Sequence, residues 1–146
     1  MNPAHRDAGE VGAAPGLSRA GRTEPLPYAD VRTPPPMSAL LCFSTCPDAA
    51  AAERIAATLV GERLAACVNV LPGLRSVYRW RGAVERADEV LLLIKTQPDR
   101  LQPLQDRLRE LHPYELPELV AVETDVGLPA YLRWIADETR PEPAPE

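Results

Sequence analysis

Two stretches with strand character, residues 66–80 and 83–96, are joined only by the dipeptide Arg81-Gly82, and nothing else in the chain restricts its fold so tightly. Strands separated by two turn-forming residues make a hairpin. Each arm is much longer than an ordinary strand of about five or six residues. Pro72 and Gly73 interrupt the first arm. Because proline cannot donate to a flat central ladder, the pair marks a bulge or bend. The second arm is apolar on both faces from Val90 to Ile94, so the hairpin has one polar end and one buried end.

The flanking segments alternate in period. Residues 38–44 form a mostly apolar strand. Thr45, Cys46, Pro47 and Asp48 then read as a capping box with the proline in the first helical turn. The helix that follows carries Ala52, Ile55, Ala56, Leu59 and Val60 on one face. After the hairpin, Leu101, Leu104, Leu108 and Leu111 define a second helix starting near Asp99, with Pro103 tolerated near its first turn. A fourth strand is expected over residues 116–126, and Pro129 opens a short last helix with Tyr131, Leu132, Trp134 and Ile135. The order βαββαβ plus a helix predicts an α+β, ferredoxin-like sandwich with helices on one face of a mainly antiparallel sheet.

Residues 38–140 hold this one domain. Residues 1–37, rich in Pro, Ala and Gly and without a hydrophobic period, are expected to be a disordered extension, and residues 141–146 a disordered acidic tail. Met37 is a candidate start of translation. Net charge is -5, and aromatics make up 5%, with no basic block, which excludes a phosphate-tracking groove and hence nucleic acid as a partner. No apolar run approaches the roughly 20 residues of a membrane span. Cys42, Cys46 and Cys67 form no CxxC pair and no secretory signal precedes them, which fits a reducing, cytoplasmic setting. A strand end between Cys42 and Cys46 argues against a metal shared by that pair.

The chemistry-bearing residues concentrate in the run His112, Pro113, Tyr114, Glu115, Leu116, Pro117, Glu118. His112 is either a metal ligand or general base partnered by Glu115 and Glu118, or a histidine set against a helix C-terminal dipole. One histidine with one or two carboxylates falls short of a closed metal site. Lys95 is the only lysine beside fifteen arginines. It is either a compact ammonium near an anion or a strand-end side chain reaching water. Tyr78 and Trp80 share a hairpin face, opposite Arg79 and Arg81, as an interface or as a cap on the core. Cys67 and Asn69 also share a face, and an inward Asn69 needs partners for its amide. The chain has no Gly-rich phosphate loop, GxSxG or HExxH motif, and no second histidine in the domain, so triad hydrolysis, nucleotide hydrolysis and zinc proteolysis are unsupported.

Read in order, Glu62-Arg63-Leu64-Ala65-Ala66-Cys67-Val68-Asn69, Pro72-Gly73, Tyr78-Arg79-Trp80 with Gly82, Ile94-Lys95-Thr96, His112-Pro113-Tyr114 with Pro117-Glu118, and Ala130-Tyr131-Leu132 with Trp134 resemble the signature of the CutA family of divalent-cation tolerance proteins. The resemblance covers residues 38–140. It implies a tight homotrimer crossed by long hairpins, an architecture similar to the PII signalling proteins, and no catalytic activity. It also implies no obligatory cofactor, with divalent metal such as copper, or a small ligand, bound at intersubunit clefts. Cys67, His112 and Glu118 would then be metal ligands, and Lys95, Tyr114, Trp80 and Asn69 would bind the small ligand. Ser44 and Leu111 stand where some bacterial members carry a cysteine and a second histidine considered as copper ligands, so that full set does not carry over. The alternative is a PII-like regulatory or scaffolding trimer whose ligand is a metabolite or another protein.

Overall fold

The computed structural model describes residues 38–146, and the expected N-terminal extension lies outside them. Four strands and three α-helices follow in the order β1 (Ala39–Cys46), α1 (Ala49–Gly61), β2 (Cys67–Trp80), β3 (Ala83–Thr96), α2 (Leu101–Leu111), β4 (Val120–Thr124) and α3 (Pro129–Glu138). A 3-10 turn, Pro98–Arg100, leads into α2. The sheet is antiparallel throughout, in the order β2-β3-β1-β4. Each helix connection therefore spans an intervening strand, as the split βαβ arrangement requires. This is the expected α+β fold.

The core lies between the sheet and α1 and α2. Alternate residues of β1 and β3, Leu40 and Cys42 with Leu92 and Ile94, meet Ile55 and Leu59 of α1 and Leu104 and Leu108 of α2, all buried. Each such side chain contributes about 1.5–3 kcal/mol of apolar burial. Val60, expected on the same stripe, is 41% exposed. It sits about a quarter turn from the centre of the stripe, where the helix surface turns towards water. A second cluster joins Leu132 and Ile135 of α3 to Ala39 and Ala66 at one end of the sheet.

Two local expectations need correction. β1 does not stop before the predicted capping box; Thr45 and Cys46 remain in the ladder opposite Leu91 and Val90. The N-cap is Asp48, whose Oδ1 accepts the Ala51 N–H at 2.8 Å. Pro47 therefore precedes the helix and holds Cys46 extended, as a residue before proline must be. Cys42 and Cys46 accordingly lie in one strand, on the helix-covered face. β4 is also shorter than the expected 116–126, because its pairing with β1 ends at Phe43 opposite Val120. The preceding residues leave the sheet to make other contacts.

The hairpin follows its sequence closely. The β2–β3 register shifts between Leu71 and Leu74, and Gly73 takes φ +86° in the bulge. Arg81 and Gly82 both have positive φ, 49° and 82°, as a tight two-residue hairpin turn demands. Loss of the N-cap bond in Asp48→Ala should cost about 1 kcal/mol. Equilibrium urea denaturation at fixed protein concentration will measure it.

Candidate functional site

The hairpin outruns the rest of the sheet. β1 ends at Cys46 opposite Val90, whereas β2 and β3 continue pairing from Leu74 and Glu89 out to Trp80 and Ala83. Residues 112–119 come alongside this projecting part and leave a cleft of about 860 Å³. Tyr78, Trp80, Glu89, Tyr114, Leu116 and Glu118 are among its lining residues.

His112 fastens that loop to β1. It caps α2 through its own N–H to the Leu108 carbonyl at 2.9 Å, and it is only 7% exposed. Its Nδ1 accepts the Tyr114 N–H at 3.0 Å, which leaves the ring proton on Nε2 to be donated to the Thr45 carbonyl at 2.6 Å. The Cys46 sulfur lies 3.9 Å from Nε2. Burial pushes the Cys46 thiol up to about 11, with Asp48 and Glu89 adding to the shift. In this geometry both ring nitrogens serve the fold.

Beyond the histidine, the Tyr114 hydroxyl donates to Glu89 Oε2 at 2.8 Å. Burial, then that bond and the charge of Glu89, hold the tyrosine hydroxyl well above its ordinary range. Glu89 is only 8% exposed. Glu118, at the more open side, is held above the usual carboxylate range by partial burial and then by the negative charge of Glu89. Neither carboxylate has a salt-bridge partner among the described residues. Arg81 reaches Glu115 at 2.9 Å while lying 5.3 Å over the Trp80 ring, tying the hairpin tip to the loop.

The candidate residues thus divide into two groups. Trp80, Tyr114 and Glu118 meet at the cleft, with His112 bracing its wall. Cys67 and Lys95 pair at the opposite end of the hairpin, with Nζ 4.0 Å from Sγ and 5.8 Å from the centre of the Tyr131 ring. Asn69 is exposed two residues along the same strand face. Six residues separate Glu89 from Lys95, about 20 Å along the strand. His112, Glu118 and Cys67 are therefore not gathered within one chain. Among the described residues, no group of three or more His, Cys, Asp or Glu side chains is arranged to hold a metal ion.

Glu89 was not among the residues singled out from sequence. Its signal was a carboxylate directly abutting the apolar run from Val90 to Ile94, on the strand face shared by Leu91 and Leu93 rather than that of its neighbour Asp88.

The architecture is that of a small α+β sandwich whose overlong hairpin and the loop between α2 and β4 flank a ligand-sized cleft. The profile of the family described as "CutA1 divalent ion tolerance protein" matches residues 40–138, and the chain belongs to that family. The divalent-cation tolerance protein CutA of Thermus thermophilus is 47% identical over 95 residues, covering 65% of this chain and 92% of its own. Protein CutA of mouse is 42% identical over 104 residues, 71% of this chain, and the match spans 59% of the mouse protein's length. The crystal structure of CutA from Xylella fastidiosa is similar with a TM-score of 0.68 at 53% identity, covering 70% of this chain and 98% of that one.

Replacing His112 by alanine leaves the Thr45 carbonyl and Tyr114 N–H without these partners, and should cost about 2–6 kcal/mol at roughly 1–3 kcal/mol per orphaned group. Denaturant titration, with amide exchange at Tyr114 as the local readout, will check it. The raised Glu118 carboxyl fixes a second expectation. Its favourable contribution is fully present below the ordinary value of 4.5 and is lost as pH rises through the raised folded value. The stability of wild type relative to Glu118→Gln should fall across that window in a pH series of thermal melts.

Proposed function

We propose that this chain acts as a non-catalytic cytoplasmic homotrimer in divalent-cation tolerance, with cation-receptive clefts completed by neighbouring subunits. The observation that carries this reading is the pair Glu89 and Glu118, two carboxylates facing one cleft with no salt-bridge partner among the described residues. Unpaired carboxylates in a partly enclosed site call for a positive charge. Their oxygen donors suit a hard or borderline divalent ion better than cuprous copper, which prefers sulfur and imidazole. One chain supplies too few ligands, so Glu118 and Cys67 would form a metal site only with donors from neighbouring subunits, and His112 would join it only by releasing one of its backbone bonds.

Trimerisation is supported by the sheet face opposite α1 and α2. Val120 and Val122 there are 57% and 54% exposed, and Leu71 of the hairpin, on the same face, is also exposed. Apolar surface on this scale marks an interaction site. A non-catalytic role is supported by His112, whose ring nitrogens are both engaged by the backbone and so leave no free base beside the cleft. A reducing compartment suits the free thiols of Cys42, Cys46 and Cys67. No helix among the described residues is long and apolar enough to cross a membrane.

The PII-like alternative, with a metabolite as ligand, is favoured by one specific observation: Tyr78, Trp80 and Tyr114 line the same cleft. Lys95, with Asn69 nearby on β2, would supply an anion contact at the other end of the hairpin.

Sedimentation equilibrium should give three chain masses, and Val122→Arg should shift the population to monomer. Calorimetric titration with zinc and manganese should show binding that weakens about tenfold in Glu118→Gln. Unchanged affinity in that variant would remove the carboxylate from the site.

A further inference from the structure

We propose that the cleft between the hairpin and residues 112–119 is a receptor for a small organic ammonium ion, held by the faces of Tyr78, Trp80 and Tyr114 and by the carboxylates of Glu89 and Glu118. The proposal rests on the reading of this cleft as cation-receptive and names the class of cation.

Size is the first argument. A single metal ion needs little more room than a few waters of about 30 Å³ each. The half-open cleft has a volume of about 860 Å³, within the range of sites for small organic molecules. Wall chemistry is the second. Carboxylates alone would suit any cation, but three aromatic side chains line this cleft. Aromatic faces attract weakly hydrated organic cations through the ring quadrupole, most strongly where water is displaced. The Trp80 ring already takes a cation on one face, the Arg81 guanidinium at 5.3 Å.

Charge is the third argument. The lining contains Glu89, Glu115 and Glu118 against Arg79 alone, so the cleft is net negative. Glu115 is engaged at the rim by Arg81. Glu89 is different: the residue is only 8% exposed, and its one side-chain hydrogen bond, from the Tyr114 hydroxyl, comes from a neutral donor. That bond fixes the carboxylate without neutralising it. An ammonium head seated between Glu89 and Glu118 would relieve the repulsion between them and place its carbon substituents against Tyr78 and Trp80. Arg79, on the opposite parity of β2, sets a positive boundary on the lining that favours a ligand with a single cationic end over a polycation.

The test uses the intact protein in its native oligomeric state. Phenethylammonium and its uncharged counterpart 2-phenylethanol are titrated separately by calorimetry, with tryptophan fluorescence as a second signal and zinc in a parallel arm. Phenethylammonium should bind at least tenfold more tightly than 2-phenylethanol. Glu89→Gln and Trp80→Leu should each weaken it about tenfold, while Tyr114→Phe, which keeps the ring, should weaken it less. Circular dichroism and oligomeric mass establish that each variant is folded, and Arg133→Gln, on α3 outside the cleft lining, should bind as wild type. Equal affinity for the charged and uncharged probes, or an unaltered affinity in Glu89→Gln, overturns the proposal. Zinc binding without ammonium binding overturns it while leaving the cation-receptive reading in place; absence of both, as when a neighbouring subunit fills the cleft, removes both.

Discussion

The hydrogen bond from His112 Nε2 to the Thr45 carbonyl is the contact on which the cleft depends. Beyond Phe43, β1 has no β4 partner, so the outer side of its last turn of ladder lies open. His112 closes it from the end of α2, and through Nδ1 the same ring fixes the backbone of Tyr114. One side chain thereby joins the strand, the helix end and the loop. Without it, the Tyr114 hydroxyl has no fixed position from which to meet Glu89. A chain of contacts runs from Thr45 to His112, Tyr114 and Glu89, and each member is set by the one before.

The charges of the surface behave differently from those of the cleft. Arg107 bridges Glu62 and Glu110 at 2.8 Å, and Arg140 reaches Asp137 at 2.7 Å, but these pairs are exposed and screened by water, so they add little. They decorate helix ends and connections already fixed by apolar burial. Glu89 sits where screening by water is weak and no such partner reaches it. The cost of holding it there is offset by the Tyr114 hydroxyl and by the packing that places β3 beneath the loop.

Much of the fold was legible because its signals are local. The two-residue turn at Arg81-Gly82, the bulge at Pro72-Gly73 and the Leu104–Leu108 stripe each follow from residue types at fixed spacing. The Thr45 capping box misled because a longer-range ladder with β3 outbid the local preference, and β4 was overextended because its limit is set by β1 rather than by its own sequence. The site was legible in part. Trp80, Tyr114 and Glu118 meet as residues of one cleft, but their separation from Cys67 and Lys95 is a matter of strand length, which no motif states. The role of His112 depends on a carbonyl 67 positions away in the chain.

The same overhang that makes the cleft also leaves strand edge unpaired. Past Cys46, the hairpin has lost the third strand that would shield its flank, and β2 offers a long outer edge interrupted only at the bulge. Open strand edges with apolar neighbours pair with other chains unless something covers them. α3 covers only the end near Ala39 and Ala66, leaving Val120 and Val122 exposed on the broad face. Shortening the hairpin to match β1 would remove that liability, yet it would also remove Tyr78, Trp80 and Glu89 from the cleft. The cleft and the unpaired strand edge are therefore consequences of one geometric excess, and a change in hairpin length cannot alter either without altering the other.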